Sequence, residues 1–194
     1  MRAHLVRSVA ALAIIAAPLA AQTTNAQASA DAPPPPAAPS VGDWAPDFTA
    51  PVAGASGIAA EPVKLSSLRG KVVVLAFYPA DRTGGCTAEL TKFRDEHASL
   101  FGDGVVVLPI SKDNLDSHAS WAKDLNMPFV LVSDTAGAVA RAYGSQKAPG
   151  KYFNRNVFVI GKDGKVAYSV INLNALSQDA YTALGQAIAA AKKS

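Results

Sequence analysis

The sequence predicts an α/β domain, because apolar strand-like runs alternate with helical patterns along most of the chain. Four runs that are almost entirely apolar are typical of strands buried on both faces, and they lie at 72–78, 105–108, 129–132 and 156–160. The segments between these runs have helical spacing. The first carries apolar or aromatic side chains along one face, at Leu90, Phe93, His97 and Leu100. The next two helices are predicted at 114–126 and 136–143.

The end of the chain predicts a hairpin followed by a helix. Residues 162–165 are a turn signal, and 166–171 form the return strand. The last helix has one apolar face, made of Tyr181, Leu184, Ile188 and Ala191. Ser177 is its predicted N-cap. A terminal hairpin and helix after alternating strands and helices indicate a thioredoxin-like fold, with a central mixed sheet flanked by helices.

The first thirty residues have the order of a secretory signal peptide. Arg2 and Arg7 precede an uncharged apolar run at 8–20, and small-x-small cleavage sites follow at 26–28 and 28–30. The alternative is an uncleaved membrane anchor, but this run is shorter than the ~20 residues that span a bilayer. No cysteine lies near the cleavage sites, which argues against a lipoprotein. We therefore expect export, to a bacterial periplasm, without membrane insertion after cleavage.

A proline-rich segment separates this signal from the predicted domain. Residues 31–40 include four consecutive prolines and are expected to form a stiff, solvated linker, although a docking motif is an alternative. The folded domain then covers 41–194. Cleavage removes Arg2 and Arg7, so the net charge falls from +3 to +1. Neither value indicates a nucleic-acid partner.

The chain contains a single cysteine, which excludes several kinds of site. One cysteine makes neither an intramolecular disulfide nor a CxxC redox pair. Beside His97 and His118 it does not complete a zinc ligand set either. We therefore expect no bound metal and no cofactor.

The single cysteine, Cys86, lies where a strand passes through a loop into a helix. Pro79 ends the strand ladder, and Thr83 is a good N-cap three residues before Cys86. In the first helical turn, unpaired N–H groups and the helix dipole would favour a thiolate. Gly84 and Gly85 let the backbone approach a small ligand. The alternative is that Cys86 is an inert, buried small side chain.

These residues form a recognisable pattern. Pro79-x-x-x-Thr83-x-x-Cys86 resembles the active-site motif of peroxiredoxins. The stretch from Phe77-Tyr78-Pro79 to Cys86-Thr87-x-Glu89 is similar to the Q-type, or bacterioferritin comigratory, subfamily. Further similar segments lie at 42–48, 63–71, 129–134, 142–144 and 155–160, so the resemblance covers about residues 41–171. The last of these segments resembles the strand that brings in the active-site arginine, here Arg155.

The resemblance implies a thiol-dependent peroxidase that reduces hydrogen peroxide, organic hydroperoxides or both. Cys86 would attack the peroxide and become a sulfenic acid. Thr83 would hold the peroxide, and Arg155 would stabilise the thiolate and the charge on the breaking O–O bond. Pro79 would cover the cysteine, and Glu89 would orient groups or relay protons. From the residues alone, Arg155 could be a surface charge at a strand end and Glu89 part of a solvated helix face.

Two positions depart from the subfamily pattern. Gly84 stands where a proline is usual, which is expected to loosen the loop. Thr91 stands where a resolving cysteine is often found, so the resemblance is to a one-cysteine form. An external thiol is then needed to reduce the sulfenic acid, from a thioredoxin-like protein, a glutaredoxin-like protein or a small thiol. The resemblance also implies a monomer.

Two other functions remain compatible with the fold, namely a cell-envelope thioredoxin-like thiol oxidoreductase or chaperone, and a non-catalytic binding module. Neither of them requires Thr83 or Arg155. Trp121 is interpreted as a packing residue that could also wall the peroxide site, and Trp44 as a packing residue. We expect His97 at the core boundary and His118 at the surface.

Overall fold

A computed structural model of the chain describes residues 37–147, 150 and 152–194. The predicted signal peptide and the first six residues of the predicted linker lie outside the described residues. The described part starts with short strands that the sequence analysis did not predict, β1 (Thr49–Ala50), β2 (Val52–Gly54), β3 (Gly57–Ile58) and β4 (Val63–Lys64). A 3₁₀ turn at Leu65–Leu68 follows them. Strands of two or three residues are too short to leave a clear alternation in a sequence.

The remaining elements follow the predicted order of alternating strands and helices. They are β5 (Val72–Phe77), α1 (Gly84–Asp95), β6 (Val105–Ser111), α2 (Leu115–Asp124), β7 (Leu131–Ser133), α3 (Ala138–Ala142), β8 (Val157–Ile160), β9 (Val166–Val170) and α4 (Gln178–Lys193). The predicted N-cap of α4 is confirmed, because the Ser177 hydroxyl oxygen accepts a hydrogen bond from the amide of Ala180 at 3.3 Å. The first helix is shorter than expected, because it ends at Asp95 and gives way to a π-helical turn at His97–Phe101.

The main sheet is mixed and has seven strands, in the order β3-β2-β7-β6-β5-β8-β9. Strands β5, β6 and β7 are parallel neighbours, and every other pairing in the sheet is antiparallel. Strands β1 and β4 pair separately. The predicted thioredoxin-like arrangement, a central mixed sheet flanked by helices, is thus confirmed. Strand β5 occupies the interior of the sheet and leads directly into the loop that precedes α1, the helix that carries Cys86.

Strand β5 is buried on both faces, as its continuous apolar run predicts. Its alternate side chains enter two separate hydrophobic cores. Val72, Val74 and Ala76 join the core that also contains Cys86 and residues of α1, α2 and α4. Val73, Leu75 and Phe77 join the other core, with residues of α3 and the N-terminal strands. This two-sided burial anchors the end of β5 and therefore the start of the loop that follows it.

Trp44 does not have the packing position expected for it. Its side chain is 61% exposed, and the charged groups of Arg69 and Lys165 lie 4.9 and 5.1 Å from the ring centroid. These cation–π contacts support the exposed ring from two distant segments of the chain. His97, in contrast, lies half-buried against Phe129, with 6.1 Å between the ring centroids, which confirms the expected boundary position.

Helix α1 begins at Gly84, the position at which the resembled subfamily usually has proline. Thr83 precedes it in an extended conformation, with φ −77° and ψ 149°, which is the conformation that a following proline favours. A Cβ atom on Gly84 would have no neighbour within 4 Å. Proline is well tolerated at the first position of a helix, because the amide there has no partner within the helix. The local structure is therefore already compatible with proline.

We predict that Gly84→Pro increases the free energy of unfolding by about 0.4–1 kcal/mol, because it restricts the unfolded chain without straining the native one. Urea denaturation monitored by circular dichroism would measure this change. The matched control is Gly85→Pro, which should destabilise the protein. There the preceding residue is helical, which a following proline disfavours, and a Cβ would lie 3.2 Å from Nη2 of Arg155. A loss of stability in Gly84→Pro would contradict the assignment of Gly84 as the first residue of α1.

Candidate active site

Cys86 is the third residue of α1 and has no exposed surface. Its side chain belongs to the hydrophobic core that lies under α1. The early amides of a helix have no carbonyl partner within the helix, and the helix dipole is positive at this end. The fold therefore places a buried sulfur atom at the end of a helix that favours negative charge.

Thr83 occupies the predicted N-cap position, but its side chain does not cap the helix. Its hydroxyl instead donates a hydrogen bond to the carbonyl oxygen of Ala80, at 3.1 Å. The residue is exposed, so a small molecule can reach its hydroxyl oxygen. Because the hydroxyl hydrogen is engaged with Ala80, the oxygen has lone pairs available to accept a hydrogen bond from a ligand.

Arg155 connects Cys86 with a buried carboxylate. Its Nη2 donates to Sγ of Cys86 at 3.3 Å, and its Nη1 donates to Oε2 of Glu89. Burial opposes the charge on Arg155, but Glu89 and Cys86 outweigh that effect and raise the pKa of the guanidinium above its usual value. The arginine side chain is 15% exposed, so one edge of it remains accessible to a substrate. A permanent positive charge therefore lies beside the sulfur.

The sheet brings Arg155 to Cys86 although 69 residues separate them in the chain. Strand β8 starts two residues after Arg155 and pairs antiparallel with β5. The carbonyl oxygen of Asn156 accepts a hydrogen bond from the amide of Phe77 at 2.8 Å, next to the end of β5. On the other side, the carbonyl oxygen of Arg155 accepts from the amide of Leu173 at 2.6 Å. Hydrogen bonds thus hold the backbone next to Arg155 against β5, the strand that precedes α1 and Cys86.

Glu89 lies on the Cys86 side of α1 and is fully buried, so a solvated helix face is the wrong interpretation of it. Burial raises its pKa from 4.5 to about 7, although Arg155 acts in the opposite direction. Among the residues that the structure describes, none is a hydrogen-bond partner of its Oε1 atom. The spacing of three residues from Cys86 places both side chains on one helix face. The side chains of Cys86 and Glu89 therefore share the single guanidinium of Arg155.

Pro79 and Trp121 are both neighbours of Tyr78, Pro79 in the sequence and Trp121 in space. Pro79 is the next residue in the chain and is half-buried at the start of the loop. Trp121 is 2% exposed, and its ring centroid lies 6.0 Å from that of Tyr78. It belongs to the same hydrophobic core as Cys86. This burial agrees with the packing interpretation of Trp121.

His118 is fully buried, so the expected surface position was wrong. It lies on the same face of α2 as Trp121 and Ala122, the residues three and four positions later. That helical spacing is the signal that could have predicted its burial. Its Nδ1 contacts the carboxylate of Asp81 at 2.9 Å. Asp81 lies in the loop between Pro79 and Thr83, and the sequence analysis did not select it.

No three His, Cys, Asp or Glu side chains among residues 37–147, 150 and 152–194 are grouped closely enough to hold a metal ion. Within the same ranges, no helix has the length and apolar character needed to cross a membrane.

Comparison with known proteins identifies the family. The model of the AhpC/TSA family matches residues 41–169. A putative peroxiredoxin bcp of Coxiella burnetii is 38% identical over 133 residues, which cover 66% of this chain and 85% of the relative. The structure of peroxidoxin BcpB from Mycobacterium tuberculosis has a TM-score of 0.65 and 31% identity, and the match covers 80% of this chain and 97% of that one.

The bacterioferritin comigratory protein of Xanthomonas campestris, whose structures concern alkyl peroxide reduction, has a TM-score of 0.63 and 27% identity, and the match covers 73% of this chain and 92% of that one. The matched segment of the family model contains every catalytic residue suggested by the resemblance, from Pro79 to Arg155. The chain therefore belongs to the AhpC/TSA family and is a peroxiredoxin of the Bcp and peroxiredoxin Q type, a thiol-dependent peroxidase.

Proposed function

We propose that Cys86 is the peroxide-reactive residue and that the enzyme reduces both hydrogen peroxide and organic hydroperoxides. The observation that carries this proposal is the contact of 3.3 Å between Nη2 of Arg155 and Sγ of Cys86. A fixed cation beside a sulfur atom at a helix start favours the thiolate, which is the nucleophilic form. The alkyl peroxide reduction named for the Xanthomonas campestris relative supports organic hydroperoxides as one substrate class.

The first step is nucleophilic attack by the Cys86 thiolate on the terminal oxygen of the hydroperoxide. A sulfur–oxygen bond forms as the O–O bond breaks, and the leaving oxygen takes a proton and departs as water or an alcohol. Thr83 accepts a hydrogen bond from the peroxide O–H through its free lone pairs and so orients the O–O bond. Arg155 stabilises the charge that develops on the leaving oxygen. Cys86 is left as a sulfenic acid.

The second step needs a thiol from outside the chain, since Cys86 is the single cysteine in the sequence. The external thiolate attacks the sulfenic sulfur, which releases water and leaves a mixed disulfide. A second thiol then displaces Cys86 and restores its thiolate, while the two external sulfurs form a disulfide. A thioredoxin-like protein, a glutaredoxin-like protein or a small thiol can supply both equivalents. We propose that the enzyme works as a monomer.

The proposed place of action is the bacterial periplasm. Its support is the order of charge, apolar run and small residues in positions 1–30. The proline-rich segment at 31–40 would then remain as the N-terminal extension of the mature enzyme.

Stopped-flow measurement of peroxide consumption tests the residue roles. We predict that Thr83→Val and Arg155→Met each lower the second-order rate constant by about 10²–10³, as expected when one donor or orienting group is removed from a charge-developing site. The matched controls are Thr182→Val, an exposed threonine of α4, and Arg141→Met, an exposed arginine at the end of α3. Both controls should react like the wild type.

A wild-type rate constant no greater than that of free cysteine would overturn Cys86 as the reactive residue. Equal rate constants in the wild type, Thr83→Val and Arg155→Met would contradict the roles of Thr83 and Arg155 while leaving that of Cys86 intact.

The pH dependence of the same reaction tests Glu89, whose pKa of about 7 lies in an accessible range. Below that pH the carboxyl is neutral, so the charge of Arg155 acts fully on Cys86 and the peroxide. Above it the carboxylate competes for the guanidinium. We therefore predict that the rate constant per thiolate falls by about fivefold to tenfold as pH rises through 7, equivalent to about 1 kcal/mol at the barrier.

The neutral variant Glu89→Gln should lack this decrease, and thiolate absorbance measured at each pH would supply the normalisation. The variant Glu96→Gln is the control, because Glu96 is partly exposed at the end of α1 and pairs with Lys92. It should keep the wild-type profile. A decrease that persists unchanged in Glu89→Gln would contradict the electrostatic role of Glu89.

N-terminal sequencing tests the export proposal. We predict that the full chain, expressed in a bacterium with a periplasm, yields a mature protein that starts at Ser29 or Asp31. Replacing Ile14 and Ile15 with aspartate should interrupt the apolar run and leave the precursor uncleaved in the cytoplasm. A wild-type protein that retains Met1 in the envelope fraction would contradict cleavage.

A further inference from the structure

The loop between β5 and α1 contains a buried carboxylate that takes no part in the steps described above. The side chain of Asp81 is 3% exposed. Its Oδ1 accepts a hydrogen bond from the Tyr78 hydroxyl at 2.7 Å, and its Oδ2 accepts one from the Ser117 hydroxyl at 2.7 Å. Nδ1 of His118 lies 2.9 Å from Oδ2 and 3.2 Å from Oδ1. Three side chains, one just after β5 and two from α2, thus converge on one loop residue.

The surroundings of His118 indicate which ring nitrogen donates. Nδ1 faces the Asp81 carboxylate, and Nε2 faces the carbonyl oxygen of Val132 at 3.3 Å. A carboxylate only accepts hydrogen bonds, so Nδ1 is the donor in the shorter contact. The ring has no exposed surface, so this hydrogen bond is shielded from water.

The same loop is held at several further points. The amide of Asp81 donates to Oδ2 of Asp113 at 2.9 Å, beyond the end of β6. Arg82 has a positive φ of 61°, which is unfavourable for a residue with a side chain. Its guanidinium donates to Ser120 and Asp124 of α2, at 2.8 and 2.7 Å. The loop conformation is therefore maintained by contacts with neighbouring elements, and Asp81 makes the buried ones.

The loop carries the peroxide-orienting group. Asp81 lies two residues after Pro79 and two residues before Thr83. The Thr83 hydroxyl donates to the carbonyl oxygen of Ala80, the residue next to Asp81. A displacement of Asp81 would therefore move both Thr83 and its hydrogen-bond partner, while Arg155 is held separately through β8 and Leu173. The consequence would be a change in the position of Thr83 relative to Arg155.

We propose that His118 is a positioning residue of this peroxidase, whose Nδ1–H holds Asp81 and so fixes the loop that carries Thr83. This proposal rests on the proposed function, because it concerns the reaction of Cys86 with peroxide. This role requires no contact of His118 with peroxide or with Cys86. It depends on the buried hydrogen bond from Nδ1 to the carboxylate of Asp81 and on the contact of Nε2 with the carbonyl oxygen of Val132 in β7.

The kinetic test is a double-mutant cycle of His118→Leu with Thr83→Val, read as the second-order rate constant with hydrogen peroxide. His118→Leu alone should lower the rate constant about tenfold, and in the Thr83→Val background it should have almost no further effect, because the two residues then act as one unit. His118→Asn, which retains one side-chain N–H, should recover part of the loss. His97→Leu, in the turn after α1, is the matched control and should react like the wild type.

Multiplicative effects of His118→Leu and Thr83→Val would overturn the proposal, since they would show that His118 does not act through Thr83. So would a folded His118→Leu protein with the wild-type rate constant, whatever its stability. The cycle uses only protein that is folded by circular dichroism.

A second measurement uses the unmodified enzyme and keeps the proposal testable if His118→Leu does not fold. In a ¹H–¹⁵N NMR spectrum of the imidazole nitrogens, His118 should show a proton on Nδ1 that is protected from exchange at the pH of the kinetic assay. An Nδ1 without a proton would overturn the hydrogen bond to Asp81. A wild-type enzyme that does not react with peroxide would instead refute the proposed function, while the NMR result would still report on His118 and Asp81.

Discussion

The active site depends on a single guanidinium that serves two buried groups. Arg155 donates one N–H to the sulfur of Cys86 and another to the carboxylate of Glu89. Without it, a sulfur and a carboxyl group with no exposed surface would have no charged partner. An uncompensated buried charge is costly, and the usual response is that the group becomes neutral. The arginine is therefore the charged partner on which a buried anion at this site depends.

The fold supplies that arginine through the ladder between β5 and β8, whose register is fixed by two hydrophobic cores. The same strand β5 leads into the loop before α1, the helix that contains Cys86. The geometry of the site thus follows from sheet pairing on one side and from the loop on the other. The sheet side is rigid because its strands are buried. The loop side contains a strained residue, Arg82, and relies on polar contacts with α2.

The sequence predicted the parts of this arrangement that leave a periodic or positional signal. Long apolar runs identified the buried strands, and the Thr83–Cys86 spacing predicted a cysteine in the first turn of a helix. The spacing of His118, Trp121 and Ala122 on α2 was a signal for burial, but the sequence alone does not show the partner that makes burial of the polar ring favourable. That partner, Asp81, lies 37 residues away. Glu89 was left undecided for the same reason, since its burial depends on the distant Arg155.

The central claim is that Cys86 alone carries the oxidised state of the enzyme. Intact-mass spectrometry after one equivalent of hydrogen peroxide, with no thiol present, tests it most directly, with Cys86→Ser as the control. We predict one added oxygen atom on the wild type, mapped to Cys86 after trapping with a sulfenic-acid reagent, and none on Cys86→Ser. An unmodified wild type, or the same added oxygen on Cys86→Ser, would contradict it.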